Sequence, residues 1–241
     1  MSDQHIVSSF DRDLETIQAQ IMKMGGMVER AISDAARSLE ARDEELAEEV
    51  RGRDKAIDDL EEQINQEAVR VLALRSPAAR DLRLILTVIK ISANLERIGD
   101  YAKNMAKRTS VLSQLSAVNG SPSALRRMAR EVEGMLKHVL DAYIQRDVDL
   151  ARMVIQRDQD IDQMYNAIFR EFLTFMMEDP RNITPCMHLH FIAKNTERMG
   201  DLVTSIAEQV IYLVTGQIPD EPRPKGDQTS TDPSVAPELR V

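Results

Sequence analysis

The sequence predicts an all-α protein made of two tandem, similar antiparallel three-helix bundles, six long helices in all. Three observations predict it. Aromatics are only 4%, there is no Trp, and Gly and Pro number 9 each in 241 residues, a composition that favours helix over sheet. Six long stretches read as helices, with turn signals between them. The second half also repeats the first: NLERIGD (94–100) returns as NTERMGD (195–201), RDKAIDDL (53–60) as RDQDIDQM (157–164), and ARDEELA (41–47) as QRDVDLA (145–151). The last two pairs are offset by 104 residues and the first by 101, so the difference fits in the loop between the second and third helix of each unit. A tandem duplication with a pseudo-twofold internal repeat accounts for all three.

The elements follow in order. The first helix is expected over Phe10–Ala41 and the second over Asp43–Leu74, with Asp43 as N-cap and Glu44 and Glu45 behind it at the positive end of the helix dipole. The third follows RSPAARD and runs to Leu115, with Pro77 in its first turn and Ser76 as its cap. VNGSPSA (118–124) is the central break. Three further helices are expected over Ser123–Arg146, Asp147–Met177 and Asn182–Thr215. The organisation is thus a first bundle over 1–117, a linker over 118–122, a second bundle over 123–215, and a Pro-rich, aperiodic tail over 216–241 that reads as disordered.

Charge and cysteine content exclude several function classes. Lys and Arg total 31 against 40 Asp and Glu, a formal net charge of −9. Such a chain is a poor binder of nucleic acid or anionic membrane. Cys186 is the only cysteine, so no intrachain disulfide and no cysteine-based zinc site can form. There is no secretory signal pattern and no run long enough to span a bilayer. The expectation is a soluble, cytoplasmic chain.

The repeated motifs carry the chemistry. Residues four apart share a helix face. Asp54 and Asp58 form one such pair and Glu96 and Asp100 another; Asp158 with Asp162 and Glu197 with Asp201 repeat both. The line Leu82, Ile85, Ile89, Ala93 runs into Glu96, Asp100 and Asn104, which sets the carboxylates on or beside faces that meet a neighbouring helix. Carboxylates gathered there repel, and their burial is costly unless something positive compensates. Two compensators are open: ion pairs from Arg53, Arg97, Arg157 and Arg198, or a metal ion. An oxygen-only donor set of Asp, Glu and Asn suits magnesium, manganese, calcium or ferric iron better than tetrahedral zinc. Gly99 and Gly200 sit mid-helix, where Gly costs about 1 kcal/mol relative to Ala; close helix packing is the expected reason.

NLERIGDYAKNMA and NTERMGDLVTSIAE, with SPAARDLR ahead of the first, resemble the PhoU family of phosphate-uptake regulators. The resemblance covers residues 10–215. It implies two three-helix bundles whose paired acidic motifs bind metal, as multinuclear iron or zinc clusters or as magnesium or manganese. Carried over residue by residue, the ligands are Asp54, Asp58, Glu96, Asp100 and Asn104, then Asp158, Asp162, Glu197 and Asp201. It further implies a negative regulator of the phosphate-starvation (Pho) regulon. Such a regulator links the ATPase subunit of the phosphate ABC transporter to a membrane sensor histidine kinase, as a homodimer, and meets the membrane only through those partners. The second copy has Ser205 where the first has Asn104, and His190 and Lys194 where the first has Ile89 and Ala93. A weaker or differently coordinated second site is expected, with His190 as a further donor or merely a locally bonded side chain.

Two rival functions remain at this level. A di-metal oxidase in a helical bundle needs Glu-x-x-His, and the residues three after Glu96 and Glu197 are Gly99 and Gly200. A helical interaction module held by Arg–carboxylate pairs, without metal, is the other.

Overall fold

The computed structural model describes residues 2–75, 77–118 and 120–219. Six long helices follow one another: α1 (Ser2–Ala41), α2 (Glu44–Arg75), α3 (Ala79–Leu112), α4 (Ser121–Gln145), α5 (Val148–Glu178) and α6 (Ile183–Thr215), with a short 3-10 turn at Pro180–Asn182. No described residue is in a strand. Among the described residues no helix is long and apolar enough to cross a membrane.

Local chemistry explains the ends. Asp43 caps α2: its Oδ1 accepts the Leu46 N–H at 3.0 Å. Asp147 does the same for α5, accepting from Asp149 and Leu150. Gly216 closes α6 in the left-handed conformation, its N–H donating to Tyr212 O. Three expectations shift. α1 starts at Ser2 rather than Phe10, since no Gly or Pro interrupts the intervening residues. α4 starts at Ser121 rather than Ser123, because Pro122 fits a first helical turn. Pro77 does not lie in the first turn of α3; the helix opens at Ala79, behind an extended Ala78. Ser76 and most of the expected tail, 220–241, lie outside the described residues.

Burial patterns set each helix's place. α2 buries one narrow stripe: Ala47, Val50, Asp54, Ile57, Leu60, Ile64, Ala68 and Val71. It packs on α1 and α3, as α5 packs on α4 and α6. α6 buries neighbouring pairs, Leu202 with Val203, Ile206 with Ala207 and Val210 with Ile211, so it is covered on more than one face. α3 packs on α6, and α1 on α4. The two bundles therefore join through a central group of α1, α3, α4 and α6, and α2 and α5 lie on the outside.

Candidate functional site

The acidic motifs fall on the two outer seams. Asp54 and Asp58 lie on α2 and face Glu96 and Asp100 on α3; Asp158 and Asp162 on α5 and Glu197 and Asp201 on α6 repeat this. The glycines explain how the helices approach. A Cβ on Gly99 would stand 3.1 Å from Ile57 Cδ1 and 3.8 Å from Asp54 Oδ1; one on Gly200 would stand 2.9 Å from Asp158 Oδ1. Close packing holds at both positions, and it presses the backbone of the third helix against the first aspartate of each pair.

The first seam is half open. Asp54 is buried at 4% exposure, while Asp58 is exposed and Glu96 and Asp100 are half-buried. Burial raises the Asp58 pKa, helped by Asp54 and, less, by Asp100 and Asp59 and opposed by Lys103. Burial also raises that of Glu96, with Asp100, Asp58, Glu61 and Asp54 adding to it. The compensating charge is Lys103. Its Nζ lies 2.5 Å from Asp54 Oδ2 and 3.2 Å from Asp100 Oδ1, and these partners raise its pKa.

The second seam is more enclosed. Asp158, Asp162 and Glu197 are 6%, 5% and 6% exposed. Lys194 Nζ pairs with Glu197 Oε1 at 3.0 Å and lies 4.9 Å from the centre of the Tyr165 ring. The Ser205 and Thr204 hydroxyls both donate to the Asp201 carbonyl of their own helix.

Several expected roles change. The arginines do not compensate the clusters. Arg53 donates to Asp34 and Glu49, and Arg157 to Glu131 and His138. Arg97 and Arg198 are exposed, and among the described residues Arg97 pairs with none of the four carboxylates. The side chains of Glu96, Asp100 and Asn104 do not continue the buried line of α3, which runs through Ile85, Val88, Leu95, Ile98 and Ala102. They flank it, and Asn104 is exposed. His190 sits among aromatic rings, 6.0 Å from Tyr165, 5.4 Å from Phe169 and 6.1 Å from Phe191, centre to centre; burial and, less, Lys194 lower its pKa. The sequence reading missed Lys103, Lys194 as a counter-ion, and Glu61. The signal for Lys103 was its spacing, three residues after Asp100 and seven after Glu96 on one helix face.

As placed, no three His, Cys, Asp or Glu side chains among the described residues form a metal-holding group. The donors still fit a hard cation: all are oxygens, the absence of a side chain at Gly99 and Gly200 lets the helices approach closely beside Asp54 and Asp158, and a cationic ammonium already stands between Asp54 and Asp100.

Comparison with known proteins agrees with this layout. A family model described as the PhoU domain matches residues 21–109 and again 125–210. The chain is 45% identical over 235 residues to the phosphate-specific transport system accessory protein PhoU homolog of Rhizobium meliloti, covering 98% of this chain and 99% of that one. The protein of the same description from Caulobacter vibrioides is 43% identical over 227 residues, covering 94% and 99%. The crystal structure of PhoU from Pseudomonas aeruginosa superposes with a TM-score of 0.84 at 40% identity, covering 86% of this chain and all 100% of that one. That of the phosphate transport system regulatory protein PhoU from Streptococcus pneumoniae gives 0.79 at 28% identity, covering 88% and 100%. With the same domain found once in each half and relatives that match it nearly end to end, the chain belongs to the PhoU family.

Proposed function

We propose that this protein is a negative regulator of the phosphate-starvation response and of high-affinity phosphate uptake. In this reading it is a metal-binding, non-enzymatic adaptor between the ATPase of the phosphate transporter and a sensor histidine kinase, and it works as a homodimer. The observation that carries the reading is the duplicated carboxylate seam, in a chain whose relatives are named as accessory and regulatory proteins of phosphate transport. Asp54, Asp58, Glu96 and Asp100 would hold the cation at one seam, with Asn104 one turn beyond, and Asp158, Asp162, Glu197 and Asp201 at the other. A bound iron, manganese or magnesium ion supplies positive charge at each seam. The protein's part is to hold the oxygens together across two helices and to exclude water at the more enclosed seam.

Two experiments test it. Elemental analysis of protein purified without chelator is expected to find metal, reduced by Glu197→Gln with Asp162→Asn; trace metal alone, with unchanged content in the variant, overturns the metal reading. Deletion in the source organism during phosphate excess is expected to raise alkaline phosphatase and phosphate-transporter expression. Unchanged expression overturns the regulatory reading.

A further inference from the structure

The ARDLR stretch (79–83) is absorbed by neither seam, yet it builds a corner of its own. A cavity of about 510 Å³ opens where the start of α3 meets the ends of α4 and α6, lined by Arg80, Asp81, Arg83, Arg146, Leu213 and Val214. Three guanidinium groups face one carboxylate there, and no salt bridge among the described residues engages any of the three arginines. Arg83 Nε and Arg146 Nη1 are buried and donate to no acceptor, although the Arg146 guanidinium lies over the Tyr143 ring, 5.0 Å from its centre. A buried donor with no acceptor is costly, the more so when charged. The Arg83 guanidinium lies against the α6 cap, since a Cβ on Gly216 would stand 2.8 Å from its Nη1. The first turn of α3 has no side-chain cap, so its N–H groups add positive potential.

The duplicated fold supplies its own control. Arg42 and Arg146 occupy corresponding positions and both adopt positive φ, 54° and 58°. Arg42 gives its guanidinium to the carbonyl oxygens of Leu112, Ser113 and Leu115, closing the end of α3. At the matching start of α6, Arg181 is engaged by Asp179. Both of these arginines have oxygen partners. In the corner of Arg80, Arg83 and Arg146 no acceptor meets Arg83 Nε or Arg146 Nη1.

We propose that this corner binds a phosphate-type oxyanion, either inorganic phosphate or the phosphoryl group of a small phosphorylated molecule. Guanidinium forks match tetrahedral oxyanions, and three of them beside a helix N-terminus make a site of that charge. The site is separate from the carboxylate seams and stands whether or not they take metal. The test is isothermal titration of the full, chelator-treated chain with inorganic phosphate and, separately, with ADP, at low ionic strength. Binding of one phosphate per chain, weakened at least tenfold in Arg83→Gln or Arg146→Asn, supports a free-phosphate site. ADP binding with the same dependence, and none of inorganic phosphate, supports a phosphorylated ligand. No binding of either, or equal affinity in the variants, overturns the proposal. Arg80→Gln changes an exposed side chain and carries the test if the other variants fail to fold.

Discussion

Lys103 on α3 reaches across to Asp54 on α2, Nζ to Oδ2 at 2.5 Å, and ties two helices through a carboxylate that is almost wholly buried. This contact, rather than an arginine, settles the charge at the first seam.

Replacing Lys103 by Met should therefore destabilise the metal-free chain. Breaking a fully buried pair costs 3–5 kcal/mol; the Lys103 side chain is 40% exposed, so a loss of about 1–3 kcal/mol is expected by urea denaturation. Asp54→Asn combined with it should recover most of that loss, because the uncompensated charge is then gone.

The glycines separate into two kinds. Gly52 and Gly134 have nothing within 4 Å of an added Cβ, so Gly→Ala at either should stabilise its helix by about 0.5–1 kcal/mol. Gly200→Ala should instead lose about 1–2 kcal/mol, since its Cβ would press on Asp158 Oδ1 at 2.9 Å. Thermal melting of the three variants checks both signs.

Glu96 gives a pH signature. Its folded pKa lies above the ordinary glutamate value, so the folded state holds its proton longer than the unfolded chain. Stability then falls as pH rises from about 4.3, the unfolded value, through the folded pKa. In the presence of chelator, Glu96→Gln should melt higher than wild type at pH 7, and the difference should vanish toward pH 4.

Arg42 and Arg146 should differ in how much a change to Gly costs. Both residues relieve left-handed strain of about 1–2 kcal/mol when replaced. Arg42→Gly also removes charged hydrogen bonds to three carbonyls, each worth about 1.5–3 kcal/mol, and should be clearly destabilising. Arg146→Gly loses no bonds to carbonyls but removes the guanidinium that lies over the Tyr143 ring, a contact worth about 0.5–2 kcal/mol, so it should leave stability within about 1 kcal/mol of wild type.

Most of the fold was legible because duplication made each half a check on the other, and a cap such as Asp43 was written locally. The pairing of charges was less so. Arg53 and Arg157 share a helix with the aspartates, but the direction of their side chains sends them to Asp34 and His138 on the first helix of each bundle. Lys103 was overlooked because a lysine on a helix with seven basic residues reads as solvated charge until a buried Asp54 is seen beside it. Ser205 in place of Asn104 pointed to a weaker or differently coordinated second site; what one donor could not show is that this seam is the more enclosed, a property set by packing across α5 and α6.

The outer position of α2 and α5 has a mechanical consequence. Each rests on its bundle by one side only, while α1, α3, α4 and α6 hold one another. The fold is thus a four-helix chassis with two detachable staves, and the acidic seams are the joints where the staves attach. Lys103 is a clasp on one of those joints, and any cation that replaces it changes how firmly α2 is fastened.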